Sequence, residues 1–90
     1  MWFVREHRDA AKVLKKAPRH IQVNYLAWKR IVEIEGPAGL SAIKGFHDEA
    51  LKGTWKGCRS SRLSNQWRVI YSVEQEECVV YVIEINPHDY

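Results

Sequence analysis

Two hydrophobic rhythms divide the chain. Between Pro18 and Glu35 the residues Ile21, Tyr25, Trp28 and Val32 recur at steps of four, three and four, the spacing of one helical face. Leu26, Ile31 and Ile34 widen that face and predict a substantially buried helix. A shorter helical stretch from about Glu6 to Lys16 precedes it, with Ala10, Ala11, Val13 and Leu14 on one side and charges on the other. Pro18 suits a first helical position and separates the two segments, and Gly36-Pro37 ends the second sharply. So short a connection predicts an antiparallel helical hairpin. Trp2-Phe3-Val4, ahead of it, reads as an edge strand.

Beyond a connector over 36–53 with four glycines and a short helical possibility around Leu40–Ile43, the period changes to two. Trp67, Val69, Tyr71 and Val73 alternate with Arg68, Ile70 and Ser72, and Val79, Tyr81, Ile83 and Ile85 form a second alternating set. Glu74-Gln75-Glu76-Glu77 is a polar loop between them, so these strands are antiparallel. A third strand, from about Trp55 to Leu63, pairs with Gln66–Val73 through Ser64-Asn65. The order predicts a single α+β domain over 1–90, with a short N-terminal strand and the helical hairpin packed on a C-terminal antiparallel sheet.

Composition narrows the classes. The chain is 46% hydrophobic with four Trp and four Tyr, which argues against intrinsic disorder. The longest apolar run, Cys78 to Ile83, is far short of the ~20 residues that cross a bilayer. The first residues lack a basic segment followed by an apolar one, so they do not read as a secretory signal. Cys58 and Cys78 form no paired motif and read as small buried hydrophobes of a reducing cytoplasm. The net charge of +3 is unevenly spread: residues 53–72 hold Lys56, Arg59, Arg62 and Arg68 with no acid, whereas residues 73–90 hold five acids and no Lys or Arg. An unneutralised basic block invites a phosphate-bearing or acidic partner, unless Glu74, Glu76, Glu77 or Glu84 neutralises it across a hairpin.

Within that block, period two places Lys56, Cys58, Ser60 and Arg62 on one strand face and Arg59 on the other. Arg68 interrupts an otherwise apolar strand, so it must meet solvent, an acid such as Glu84, or a ligand phosphate. His88 follows the last strand and can move protons near neutrality, and Tyr90 can do so if its surroundings shift it. His7 and His20 fall on polar helix sides. His47-Asp48-Glu49 has no second His four residues on and reads as a surface loop rather than a zinc site.

The ordered set Leu51-Lys52-Gly53, Arg62-Leu63, Trp67-Arg68-Val69-Ile70-Tyr71, Val80-Tyr81-Val82 and Pro87-His88-Asp89-Tyr90 resembles the RelE/HigB toxins of bacterial toxin–antitoxin modules. The resemblance covers the C-terminal half and implies the α+β layout reached above. It implies a metal-independent, ribosome-dependent mRNA endonuclease in which the ribose 2′-OH attacks the adjacent phosphate. On that reading Arg68 stabilises the phosphorane, Arg62 is a second cation, and His88, with Tyr90 second, handles the proton. Lys52, Lys56, Arg59 and Ser60 hold RNA. Ser60 stands where RelE-like toxins tend to have a catalytic lysine, which leaves proton transfer to His88 or to another arrangement. The implied partners are a cognate antitoxin, the ribosome and mRNA. Two other readings stay open: a ParE-like gyrase-binding toxin without nuclease activity, and a non-catalytic nucleic-acid-binding or partner-binding domain.

Overall fold

The computed structural model describes residues 1–87, and the order of elements follows from local signals in the chain. Strand β1 (Phe3–Glu6) leads into helix α1 (Arg8–Lys16) and helix α2 (Arg19–Glu35). His7 caps α1: its Nδ1 accepts from the Asp9 backbone N–H at 3.2 Å. Asp9 in the first turn and Lys15 and Lys16 in the last complement the helix dipole. Pro18 stands as the N-cap of α2, one position earlier than expected from its φ preference, and Arg19 is the first helical residue. The helix stops at Gly36, whose N–H donates to the Val32 carbonyl at 2.8 Å with φ of 76°. A Cβ there would lie 2.6 Å from Trp2 Nε1, so both backbone and space require glycine.

A short helix α3 (Ala38–Ser41) and a 3-10 turn (Lys44–Phe46) cross to β2 (Glu49–Ala50). A second 3-10 turn (Gly53–Trp55) precedes β3 (Arg59–Arg62), and β4 (Trp67–Glu74) and β5 (Val79–Pro87) complete the sheet. The strand order is β1-β5-β4-β3-β2, antiparallel throughout except that β1 runs parallel to β5 at one edge. No helix among the described residues is long and apolar enough to cross a membrane.

The helices cover one face of the sheet. Ile21, Tyr25, Trp28 and Val32 are fully buried against Val69, Tyr71, Val80, Val82 and Ile85. Trp28 stacks on Tyr25 and meets Tyr71 edge-on, with ring centroids 5.6 and 5.4 Å away. Leu26 and Ile34 are corrected by the structure: they are 62% and 64% exposed. At 100° per residue they lie roughly 130° and 150° round α2 from the buried stripe, and a two-layer domain has nothing to cover that side. The third strand also begins later than predicted, at Arg59 rather than Trp55, because Lys52–Lys56 turns in a 3-10 bend and Gly57 takes φ of 96°. Both cysteines are half-exposed rather than buried, Cys78 lying in the β4–β5 turn at φ of 56°. Strand β2, at two residues, is too short to show an alternating pattern in the sequence.

Candidate phosphate-binding face

Register decides which side chains share the face turned away from the helices. In an antiparallel ladder, directly opposed residues project to the same side. Val69 opposes Ser61 and Ile85, and all three face the helices. The alternate positions therefore point outward. Arg68 lies directly opposite Arg62 on one neighbour and Asn86 on the other, and Ile70 lies opposite Ser60 and Glu84. A bulge follows in β5, since Ile70 pairs with Glu84 but Tyr71 pairs with Val82, leaving Ile83 as the extra residue.

Two arginines at directly opposed strand positions concentrate positive charge on this face. Arg68 is half-buried, and among the described residues no carboxylate pairs with it. Its Nε is buried, with no hydrogen-bond partner among the described residues. Glu84, the acid that could have neutralised it, instead accepts from the Asn86 side-chain amide. An unpaired buried N–H on a cation carries a desolvation cost of about 1–3 kcal/mol or more, which an oxyanion would relieve.

The other candidate residues fall in different places. Ser60 lies on the Arg68 face but is only 6% exposed, so its backbone and hydroxyl are close to the sheet. Lys52 and Lys56 are exposed on a loop closed at its base, where Leu51 N–H donates to the Cys58 carbonyl at 3.0 Å. Lys56 does not share the strand period of Ser60 and Arg62, because β3 has not yet begun. Arg59 faces the helix side and is held by Asp48, its Nε and Nη2 both 2.8 Å from Asp48 Oδ1. His88 and Tyr90 lie outside the described residues.

Asp48 is the residue that sequence reading missed. Its side chain is fully buried and accepts from Arg59, from Ser61 Oγ at 2.6 Å, and from the Tyr71 hydroxyl. Burial, and then the adjoining carboxylate, pushes the Tyr71 phenol well above its ordinary range, with Arg59 opposing in part. The available signal was Arg59 and Ser61 themselves: polar residues at inward strand positions demand a buried partner. Among the described residues no group of three His, Cys, Asp or Glu is placed to hold a metal ion.

Comparison with protein-family models and with curated proteins returns no match. Solved structures do match over nearly the whole chain. The archaeal RelE–RelB complex from Pyrococcus horikoshii OT3 contains a chain with TM-score 0.76 and 28% identity, covering 96% of this chain and 93% of that one. A chain of the toxin–antitoxin complex RelBE2 from Mycobacterium tuberculosis aligns with TM-score 0.71 at 18% identity, covering 97% and 98%. One from the YoeB–YefM complex of Staphylococcus aureus aligns with TM-score 0.74 at 14% identity, covering 99% of both. At such identities the latter two speak for the fold.

Proposed function

We propose that the chain, which shares its fold with RelE- and YoeB-type toxins, is a RelE/ParE-type toxin of a toxin–antitoxin pair, acting as a ribosome-dependent endoribonuclease on mRNA. The observation that carries this reading is Arg68: a guanidinium on the face away from the helices, opposite a second arginine, with a buried Nε that has no acceptor among the described residues. A phosphodiester supplies the missing acceptor, and the planar fork suits it.

The chemistry follows from the substrate. The ribose 2′-OH loses its proton to a base and its oxygen bonds to the adjacent phosphorus. The P–O5′ bond then breaks, the 5′-oxygen taking a proton from an acid. The products are a 2′,3′-cyclic phosphate and a 5′-hydroxyl. Charge grows on the equatorial phosphate oxygens between these events, where Arg68 and then Arg62 act. His88, with Tyr90 second, is assigned the proton transfers. Lys52 and Lys56, exposed on their loop, hold the RNA backbone at a distance from the reacting phosphate. A cytoplasmic antitoxin with an acidic or amphipathic segment would silence the protein by covering the basic face.

Purified ribosomes programmed with a short message provide the test. Wild-type protein should yield a cut product ending in a cyclic phosphate. Arg68→Ala should lose about 10²–10³ in rate, the usual loss for one transition-state donor. Full cutting by Arg68→Ala would remove the residue from its role. An absence of cutting, combined with a DNA-damage response on expression, would favour gyrase binding instead.

A further inference from the structure

We propose that the cleft at the β3–β4 end of the sheet is a nucleotide subsite, seating a base and phosphate next to the cleaved linkage. This inference rests on the ribonuclease reading. The cleft, about 450 Å³, is assembled from three separated pieces of chain: Asn24 and Ala27 on α2, Ile43–His47 in the connector, and Arg62–Asn65 at the turn.

Among the described residues its lining includes Lys44, His47 and Arg62 and no acid. The same wall includes Ile43, Phe46 and Leu63, of which Phe46 is half-buried and Leu63 buried. Positive rim and apolar aromatic wall together match a ligand that is both anionic and flat, and a nucleotide has both properties. Asn24 adds a fixed polar group. Its Nδ2 donates to the Leu63 carbonyl at 2.7 Å, which orients the side chain and leaves Oδ1 to accept from a base edge.

Continuity with the proposed reaction site comes through Arg62, which lines the cleft and also stands opposite Arg68. A single strand whose phosphate rests between the two arginines therefore passes next to the cleft. His47 points the same way. It is exposed and sits at φ of 47°, just after the 3-10 turn closed by its N–H to the Lys44 carbonyl at 3.0 Å. From that exposed position the imidazole can donate a hydrogen bond to a phosphate at the rim of the cleft.

Two measurements on the full chain test the subsite. The first is cutting of programmed ribosomes carrying messages that differ only in the base beside the cut. The second is anisotropy of a short labelled oligonucleotide with a 2′-deoxy sugar at the cleavage position. Lys44→Glu should raise KM roughly tenfold with kcat within twofold, and Phe46→Leu should flatten the base preference while weakening oligonucleotide binding to a similar degree. His47→Gly should leave the thermal midpoint unchanged or raise it, yet weaken binding. Wild-type cutting with unchanged KM and base preference in all three variants would overturn the subsite and leave the nuclease reading intact. Loss of binding to poly-glutamate but not to RNA would also overturn it, giving the cleft to an acidic peptide. Should the wild type bind the blocked oligonucleotide without cutting, with binding lost in the variants, the subsite would stand and the nuclease reading would fail.

Discussion

Replacing Asp48 with alanine removes the acceptor shared by three side chains. The Ser61 and Tyr71 hydroxyls are both essentially fully buried, and each would be left as an unsatisfied donor. Orphaning a buried donor costs about 1–3 kcal/mol, so these two together account for about 2–6 kcal/mol. Arg59, with a side chain 36% exposed, can turn toward water. Its lost ion pair therefore adds only about 1 kcal/mol or less. A loss near 4 kcal/mol is a large share of the about 5–15 kcal/mol that holds a small domain together. At about 4–8 °C per kcal/mol for a domain this small, the melting midpoint should fall by roughly 15–30 °C. Urea denaturation at pH 7, followed by tryptophan fluorescence, measures the change directly. The reasoning also predicts coupling. Tyr71→Phe alone should cost about 1–2 kcal/mol by removing a satisfied hydroxyl, whereas in the Asp48→Ala background it should cost nothing or stabilise. A loss below about 1 kcal/mol for Asp48→Ala, or additive effects in the double variant, would refute the assignment of Asp48 as a buried hub.

Gly36→Ala should destabilise by at least about 1–2 kcal/mol from the left-handed backbone alone, with more from the Trp2 clash, and thermal melting would show it. At alkaline pH the buried tyrosines should undermine the fold. Tyr25 and Tyr71 both have folded-state pKa values raised above 10.0, chiefly by burial, and then by Glu6 and Asp48 respectively. Their contribution is intact below pH 10 and declines above it, because the unfolded chain releases protons that the folded one keeps, with a limit near 1.4 kcal/mol per pH unit for each. Tyr25→Phe should halve the slope between pH 10 and 12 in urea titrations. Leu26→Lys should move stability by no more than about 0.5 kcal/mol, since the side chain is already in solvent, and a larger loss would contradict its exposure. Arg68→Ala should leave the urea midpoint unchanged or raise it slightly while cutting falls, because the deleted Nε has no partner among the described residues.

Much of this molecule is legible by reading along the chain. The α2 face of Ile21, Tyr25, Trp28 and Val32, the alternation in β4 and β5, the hairpin of helices and the concentration of cations in 53–72 all depend on nearest neighbours in sequence. A helix or strand repeats every few residues, so local spacing reveals which face is apolar. Leu26 and Ile34 show the limit of that inference, since an apolar residue is buried only when something is there to cover it, and a two-layer fold leaves the outer side of α2 bare.

What the tertiary structure decided are relations between residues far apart in the chain. Period two could place Arg62 and Arg68 on strand faces but could not set them opposite each other, because register depends on the turn and on which face the helices occupy. Asp48 meets the Tyr71 hydroxyl at a sequence separation of 23, and no local pattern marks that acid as buried. The cleft of Asn24, Phe46 and Arg62 likewise exists only once three segments converge. Periodicity is a property of one segment, whereas a binding surface is a property of how segments meet, and the second is settled by packing and pairing energies that the linear order leaves open.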